Sequence, residues 1–376
     1  MKVVIAIDSF KGCMSSVVAG NAAKHGLLSV TDAEASVFPV ADGGEGTTRV
    51  LTEGLKGNFV SVSVHGPLGK LVEAEYGILP GGNTAVMEMA QASGLTLISE
   101  KERDPLNANT AGMGEMILDA LSRGVNDFVI GIGGSATTEA GIGMLYALGY
   151  RFYDSEGEEV QPYLKHLGSI AEIRGDRVPA ELDNCSFHIA CDVTNPLCGE
   201  NGAVFVYGRQ KGVDPEQMEE FDAMLSHFAD VTESFTECDN RNIAGAGAAG
   251  GLGFAFSSFM KNVEMLPGIQ VVSEAIGLKA AMSEADIVIT GEGKIDMQTR
   301  NGKVPYGIAS MAKQYGCKVL AFGGKVDEGA AESLYPMIDQ CYAITPPDMP
   351  LDIALREDVA AENMKNAVAA VFAEIV

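Results

Sequence analysis

Glycine, hydroxyl, carboxylate and lysine side chains occur together at five places in this chain, each time after a short apolar run. The segment 128–143, FVIGIGGSATTEAGIG, predicts a strand, a Gly-rich loop and the N-terminus of a helix. Backbone N–H groups in such a loop, with the positive end of a helix dipole behind them, favour an anion. Close packing of the strand against the helix, with a serine cap, is the alternative. The candidate anion ligands here are Gly133, Gly134, Ser135 and Thr137.

Two acidic segments lie near the N-terminus. In 5–12, IAIDSFKG, Asp8 ends an apolar run beside Ser9, and Lys11 follows three residues later, so a carboxylate and an ammonium could hold a metal and a phosphate. The alternative is a helix cap beside a solvated lysine. In 39–47, PVADGGEGT, two acids flank a glycine pair, which suits a metal or a polar ligand more than a simple cap and turn. Its candidates are Asp42, Gly43, Gly44 and Glu45.

Two further segments lie in the second half of the chain. Asp192 follows the apolar run 187–191, and a strand-end carboxylate can serve as a general base toward an alcohol. An Asx-turn is the alternative. The segment 289–303 carries more acids, cations and hydroxyls than a surface loop usually needs. The candidates for substrate or phosphate contact are Asn195, Lys211, Gly291 and Thr299; Lys303 is a candidate for catalysis, and Glu292 and Asp296 are candidates for a metal ion.

Motifs of other chemistries are missing from the sequence. It contains no Walker A sequence, no HExxH, no GxSxG and no histidine cluster. The spacing GxGxxG at 245–250 has no clear strand before it, so a dehydrogenase hypothesis would rest on that spacing alone. Acids, glycines, hydroxyls and a few lysines are the groups that phosphoryl transfer requires, because that reaction depends on positioning, a metal ion and charge neutralisation.

Composition narrows the class of protein and of ligand. A chain of 376 residues with 47% hydrophobic and 20% charged residues is expected to form two domains of a soluble protein. Its net charge of −25 disfavours nucleic acid and anionic membranes as partners. An anionic ligand would therefore need backbone amides, a few cations and a divalent metal. The N-terminal VVIAID is expected to be a strand rather than a signal peptide, and seven scattered cysteines without a CxxC pair predict reduced thiols in the cytoplasm.

The apolar runs place the five segments at strand ends of an α/β fold. We predict a discontinuous parallel-sheet domain, Rossmann- or flavodoxin-like, from residues 1–64 plus 286–376, with a larger mixed α/β domain inserted at 65–285. The runs 59–65 and 71–79 predict an antiparallel hairpin. Two sequential domains would give a similar composition and are the alternative. In open α/β sheets, ligands bind outside the carboxyl ends of strands, where these segments fall.

The motifs resemble, in order and across essentially the whole chain, those of the bacterial glycerate kinase family. They are IAIDSFKG (5–12), PVADGGEGT (39–47), GIGGSAT (131–137), CDVTNPLCGENGA (191–203), QKG (210–212), GAGAAGGLG (245–253) and GEGKIDMQTRNGKVPYGIA (291–309). The resemblance implies an ATP- and Mg²⁺-dependent enzyme that phosphorylates D-glycerate, typically at the 2-hydroxyl, and a two-domain α/β fold whose first domain is discontinuous. At 138–140 the chain has Thr-Glu-Ala where the family usually has Asn-Asp-Gly, so no catalytic role is carried over to Glu139.

These observations combine into a hypothesis for the site. The backbone of 133–135 would hold the glycerate carboxylate or an ATP phosphate, Lys11 and Lys303 would neutralise the transferring phosphoryl group, and Asp192 would accept the hydroxyl proton. The carboxylates from which Mg²⁺ ligands would come are Asp8, Asp42, Glu292 and Asp296. A kinase for another small hydroxy acid or polyol, and a non-catalytic binding protein for a small anion, are the alternatives. A homodimer is left open.

Overall fold

The computed structural model describes residues 1–300 and 303–375. Asn301 and Gly302, which belong to the last quoted motif, and Val376, the end of the predicted terminal domain, lie outside the described residues. The strands are β1 Lys2–Ile7, β2 Glu34–Val37, β3 Asn58–His65, β4 Leu71–Ile78, β5 Thr84–Glu88, β6 Asp127–Gly131, β7 Arg151–Tyr153, β8 Glu172–Arg174, β9 Ser186–Ala190, β10 Asn262–Leu266, β11 Ile287–Ile295, β12 Lys318–Val326 and β13 Gln340–Ala343.

Helices separate most of these strands, as expected for an α/β chain. They are α1 Ser16–Val30, α2 Thr47–Gly54, α3 Ala90–Ser93, α4 Ala111–Ser122, α5 Ile142–Ala147, α6 Ala203–Tyr207, α7 Met218–Thr236, α8 Leu252–Phe259, α9 Gly268–Ala275, α10 Leu278–Met282, α11 Val304–Gln314, α12 Ala330–Leu334, α13 Leu351–Ala354 and α14 Glu357–Ile375. Each helix of the described residues is too short or too polar to pass through a lipid bilayer.

The chain divides into two compact units. The terminal unit comprises Met1–Asp42, Arg49–Leu55 and Ile269–Val376, and the inserted unit comprises Gly43–Thr48 and Lys56–Gly268. Relative to the predicted boundaries, β3 lies in the inserted unit because it pairs along its whole length with β4, and residues 269–285 lie in the terminal unit.

The terminal unit is built on a five-stranded parallel sheet in the order β13-β12-β11-β1-β2. The run Val3–Ile7 is buried throughout, as a central parallel strand covered on both faces requires. Helix α1 is N-capped by Ser15, whose hydroxyl accepts the Val18 N–H at 3.2 Å. At Gly26 a β-carbon would lie 2.2 Å from the Lys365 carbonyl oxygen, so this glycine allows α1 to pack against α14. Because β1, β11 and β12 are parallel neighbours, their carboxyl ends lie at the same edge of the sheet.

The inserted unit is built on a six-stranded mixed sheet in the order β10-β9-β6-β5-β4-β3. The first four strands are parallel, and β4 and β3 add an antiparallel hairpin, as the sequence predicts. Phe128 on β6 and Phe187 on β9 stack with ring centroids 5.0 Å apart, in a core that extends to α8 through Phe256. The α/β class with parallel sheets is thus confirmed.

The prediction of a helix N-terminus directly after Gly134 is wrong. Residues 132–141 are irregular, and α5 begins only at Ile142. The Ala136 N–H donates to the Ser93 carbonyl oxygen at 2.9 Å, and the Leu95 N–H donates to that of Gly134 at 2.9 Å. The segment therefore pairs with residues 93–95 instead of coiling. Positive φ angles at 140 and 141, of 55° and 72°, also exclude helical geometry there.

The prediction of a loop that begins at Gly291 is also wrong. Strand β11 continues to Ile295 and stays paired with β12 as far as Val326. Glycines permit this extension. A β-carbon at Gly291 would lie 2.1 Å from the Phe322 carbonyl oxygen, and one at Gly324 would lie 2.5 Å from that of Gly293. The acids and lysines of this segment are consequently fixed on a strand rather than on a free loop.

Candidate active site

One cavity of the terminal unit, of about 810 Å³, collects seven of the predicted site residues. They come from the carboxyl end of β1, from the residue before Gly43, and from β11 and the segment that follows it. We call this set the charged floor; it consists of Asp8, Ser9, Lys11, Asp42, Glu292, Asp296 and Lys303. Two lysines thus lie among four carboxylates, although no single segment of the sequence holds them all.

Asp8 is the carboxylate of the charged floor whose pKa is raised to near neutrality. Its Oδ1 accepts the Ser9 backbone N–H at 2.7 Å. Burial raises the pKa of Asp8 to about 7, and the charges of Asp42 and Glu292 add to the increase, while the Ser9 N–H and Lys11 oppose it. The Lys11 Nζ lies 3.8 Å from Asp42 Oδ2. A carboxylate with acidic neighbours that is half-protonated near neutral pH would be stabilised in its charged form by a bound cation.

Glu292 and Asp296 share one lysine. The Lys303 Nζ lies 3.4 Å from Glu292 Oε2 and 3.6 Å from Asp296 Oδ1. The buried Thr299 hydroxyl donates to Glu292 Oε1 at 2.6 Å and accepts the Asp296 N–H at 3.1 Å. Burial raises the pKa of Glu292, although Thr299 and Lys303 oppose that effect. The predicted metal pair therefore already holds an ammonium between its carboxylates.

The floor suits a magnesium ion that is held partly by a ligand. Proteins bind Mg²⁺ through one or two carboxylates, while phosphates and water complete its octahedron. In residues 1–300 and 303–375, no three floor carboxylates bring oxygens within 4.8 Å of one another. A cage of protein ligands alone is therefore not formed, whereas a pair of carboxylates beside a phosphate fits.

A close approach in the inserted unit requires a glycine at position 43. Gly43 has φ +81°, and its β-carbon would lie 2.7 Å from both Ala190 Cβ and Gly268 Cα. Gly44 accepts the Thr47 hydroxyl at 2.7 Å through its carbonyl oxygen, while Glu45 is exposed. The segment is therefore held against the carboxyl ends of β9 and β10.

Glu88, at the end of β5, anchors the same segment and was not predicted. Its Oε2 accepts the Gly46 N–H at 3.1 Å, and its Oε1 accepts the Thr48 N–H at 2.8 Å. Burial raises the pKa of Glu88, and these two N–H groups counteract the increase. An acid directly after the apolar run 85–87 was the signal in the sequence that could have found it.

Asp192 and Asn195 follow β9, as predicted. Asp192 Oδ1 accepts the Gly268 N–H at 3.0 Å, and the residue is exposed. The Asn195 amide donates to the Asn201 carbonyl oxygen at 2.8 Å and accepts the Tyr207 hydroxyl at 2.6 Å. Asn195 therefore holds its own loop, which is the turn that carries Asp192.

The segment 133–137 presents two exposed glycines. Gly133 has an ordinary φ, and a β-carbon there would meet nothing within 4 Å, whereas Gly134 has φ +74°. Ser135 and Thr137 are buried. The Gly-rich tract 245–250 packs closely against the backbone of this segment. A β-carbon at Gly250 would lie 2.0 Å from the Thr137 carbonyl oxygen.

Lys211 and Glu139 support this segment from inside the inserted unit. The Lys211 ammonium is buried and donates to the Thr137 carbonyl oxygen at 2.6 Å. Glu139 is also buried, and its carboxylate accepts the Thr110 N–H at 2.8 Å, the Thr110 hydroxyl at 2.6 Å and the Gly141 N–H at 3.0 Å. Burial lowers the pKa of Lys211 to about 7, and the charge of Glu139 opposes that decrease. Both side chains position the backbone of the segment.

Replacing Lys211 by methionine is expected to lower the free energy of unfolding by about 2 kcal/mol, because it leaves the Thr137 carbonyl oxygen without its buried donor. Urea denaturation followed by circular dichroism measures the change. The matched control is Arg209→Met, two residues away and exposed, which should change stability by less than about 0.5 kcal/mol. Equal stability of the two variants would contradict a supporting role for the lysine.

Other residues of the cavity in the terminal unit were not predicted. Lys325 lies on β12, and its Nζ is 3.0 Å from Asp327 Oδ1; Lys294 on β11 is 2.7 Å from Asp327 Oδ2. The GGK at 323–325 follows an apolar run, the same signal as in the other segments. The apolar residues of the cavity, from 344 to 355, carry no chemical motif and could not be found from residue type.

Comparison with known proteins decides the family. The model of the Glycerate kinase family matches residues 3–376. The chain belongs to this family. It is 41% identical over 376 residues to a glycerate kinase of Bacillus subtilis (strain 168), and the match covers 100% of this chain and 98% of the relative. It is 40% identical over 357 residues to a glycerate 2-kinase of Escherichia coli (strain K12), covering 95% and 93%.

The fold of this glycerate kinase family member also has a solved counterpart. A crystal structure of a Salmonella typhimurium LT2 protein assigned as glycerate kinase 2 superposes with a TM-score of 0.89 at 39% identity. The match covers 100% of this chain and 98% of that one. Both units of the family member are therefore represented in the solved structure.

Proposed function

We propose that this chain is a kinase that transfers the γ-phosphoryl group of ATP to the 2-hydroxyl of D-glycerate. The charged floor carries the proposal, because it sets two lysines among four carboxylates at the carboxyl ends of neighbouring strands in a member of a kinase family. Phosphoryl transfer depends on positioning and charge neutralisation more than on covalent chemistry. The name of the Escherichia coli relative supports the 2-hydroxyl as the acceptor.

Mg²⁺ is part of the proposal. Asp8, with help from Asp42 or Glu292, would hold the ion beside the phosphates of ATP, since burial, with a smaller contribution from those acidic neighbours, already raises the pKa of Asp8. The ion would supply charge neutralisation at the transferring phosphoryl group. Asp296 is the alternative ligand, and it would bind the ion once Lys303 turns from the carboxylate to a phosphate.

Lys11 and Lys303 are proposed as the phosphate-binding cations. Both are within 4.0 Å of a carboxylate; Lys11 is exposed and Lys303 is partly exposed, so entering phosphates can reach both side chains. An ammonium acts on phosphate as a mobile point charge. When phosphate enters the floor, each lysine would exchange its carboxylate for a phosphate oxygen, while the carboxylate is released to the metal.

In the inserted unit, Asp192 is proposed as the base that accepts the proton of the glycerate hydroxyl. Its Oδ1 is fixed by the Gly268 N–H, which leaves its orientation defined. The exposed backbone at Gly133 and Gly134 is proposed to bind the carboxylate of glycerate or a phosphate of ATP. Ser135 and Thr137 would contribute through their backbone, because their side chains are buried.

Gly133 offers a test that separates binding from folding. Gly133→Val is expected to raise the KM of glycerate or of ATP about tenfold, because the valine side chain would block the approach of the anion to the backbone N–H and so prevent one hydrogen bond to a charged ligand. The thermal midpoint should not change, because the added atoms meet open space and φ is ordinary. Steady-state kinetics and a thermal scan measure both quantities.

Gly134→Ala is the matched comparison, since its φ of +74° should cost about 1 kcal/mol of stability. If Gly133→Val keeps both KM values, the segment does not bind the anion. If it unfolds like Gly134→Ala, the glycine serves the fold instead.

The substrate class is tested by a panel. Purified protein with Mg-ATP is offered D-glycerate, L-glycerate, other small hydroxy acids and polyols, and ADP release is followed. D-glycerate should give the highest kcat/KM. A higher value for a polyol would replace the proposed substrate, and ATP consumption with none of them would remove the proposal.

We further propose that the two units are the enzyme's two domains, the first of which is formed by both ends of the chain. All seven cysteines are free thiols, which supports a reducing compartment and hence the cytoplasm as the place of action.

A further inference from the structure

The cavity of the terminal unit has an apolar side that phosphoryl transfer does not use. Besides the charged floor, it is lined by side chains of the segment between β13 and α14, together with Phe10. We call this set the apolar wall; its members are Phe10, Ile344, Pro346, Met349, Leu351 and Leu355. Leu351 and Leu355 are 72% and 46% exposed. Large apolar side chains that border a cavity and face solvent indicate a ligand surface.

The chemistry of the wall selects between the two reactants. Glycerate is a three-carbon acid whose carbons all carry oxygen, so it has no apolar face to bury. A purine base has two flat apolar faces, and ATP joins it through ribose to a triphosphate that needs the cations of the floor. Stacking of bases on apolar and aromatic side chains is favourable for any purine.

The dimensions agree with a nucleotide. The cavity is lined from the ends of β1, β11 and β12 and from residues at the end of β13, which are four neighbouring strands. At about 4.8 Å per strand, this edge is about 14 Å long. Its volume of about 810 Å³ lies in the range of pockets that enclose drug-sized ligands.

We propose that the apolar wall is the subsite for the purine base of ATP, so that the terminal unit binds the nucleotide and the charged floor receives its phosphates. The proposal rests on the proposed kinase function and assigns one of its two reactants to a place. Leu355 and Leu351 stack against the base, and their exposure in the free protein is relieved when it binds. Specificity between purines is not set by this contact.

The sequence provides a clean probe, because it contains no tryptophan. In Leu355→Trp, the indole replaces an exposed side chain of the wall and becomes the only tryptophan of the full-length protein. ATP is expected to quench its emission saturably in the presence of Mg²⁺, since a base stacked on indole quenches it. Inorganic tripolyphosphate and D-glycerate should leave the emission unchanged.

Ile353→Trp is the matched control. Ile353 lies between the two wall leucines in sequence and is 40% exposed, yet it does not line the cavity. Its emission should not respond to ATP. A second variant, Leu355→Asp, should raise the KM of ATP about tenfold or more through the lost apolar contact and leave the KM of glycerate within twofold. Circular dichroism checks that each variant is folded.

The outcomes are separable. Equal quenching by tripolyphosphate and ATP would overturn the proposal, because phosphates alone would then reach the wall. An active Leu355→Trp that shows no quenching, together with an unchanged KM of ATP in Leu355→Asp, would place the base elsewhere. Quenching by ATP in a protein that phosphorylates no glycerate would keep the purine subsite and remove the kinase proposal instead.

Discussion

Replacing Asp8 by asparagine is expected to lower kcat by about 10²–10³-fold, the usual cost of removing one electrostatic contact to the transition state. The same change should raise the stability of the protein without Mg²⁺ and phosphates, above pH 7, by about 4 kcal/mol. Both effects have one cause. Burial disfavours the charge of Asp8, and Mg²⁺ and phosphates would make that charge favourable by binding beside it.

The sign of the pH effect follows from the pKa values. Asp8 titrates at about 7 in the folded protein against 3.8 in the unfolded chain, because burial disfavours its charge. Between these values the folded state binds the extra proton, so the wild-type protein loses stability as the pH rises from about 4 to 7. The asparagine variant has no such loss, and the two proteins should differ least at pH 4.

Urea denaturation at pH 4, 6 and 8 in EDTA measures this difference, and steady-state kinetics measures kcat. Asp32→Asn is the matched control, since Asp32 is exposed and lies outside the cavity. It should change neither quantity. Wild-type turnover in Asp8→Asn would remove Asp8 from the site, while reduced turnover with no stability gain would show that its buried charge is not unfavourable.

Replacing Asp192 by asparagine is expected to reduce kcat by about 10²–10⁴-fold, because an amide cannot accept the hydroxyl proton. The fold should be retained, since the amide oxygen of asparagine can still accept the Gly268 N–H that Asp192 Oδ1 accepts at 3.0 Å. The KM of each substrate should change little. Initial rates over both substrate concentrations give these parameters.

Asp176→Asn is the matched control for this second variant, because Asp176 is an exposed acid of the same unit. It should behave as wild type. Near wild-type kcat in Asp192→Asn would show that the base is another group, and the half-buried Asp8 would then be the next candidate. A loss of thermal stability would instead indicate that the carboxylate serves the turn after β9.

The sequence allowed prediction of the α/β class, because buried parallel strands such as Val3–Ile7 are short apolar runs that residue types alone reveal. The hairpin of β3 and β4 was equally predictable from alternation around a Gly-Pro turn. The positions of Asp8, Asp192 and Lys303 at strand ends, or just beyond them, followed from the same runs. The sequence did not predict which of them would share the charged floor, because strand order is a property of the folded sheet.

The errors arose where tertiary contacts outweighed local patterns. Residues 135–139 have the composition of a helix start, but the segment 134–136 pairs with residues 93–95. Lys211 stays a predicted phosphate ligand, and its buried ammonium, which donates to the Thr137 carbonyl oxygen, could not be foreseen from the sequence. The apolar wall could not be predicted from the sequence, because the exposed leucines after β13 belong to no recognisable motif.

The regiochemistry of the product tests the central claim most directly. The protein is incubated with Mg-ATP and D-glycerate, and the phosphorylated product is identified by ³¹P and ¹H NMR before any other enzyme is added. We expect 2-phosphoglycerate in equal amount to ADP, and no product when ATP is omitted. 3-Phosphoglycerate would contradict the proposed acceptor hydroxyl, and the absence of any phosphoglycerate would contradict the kinase function.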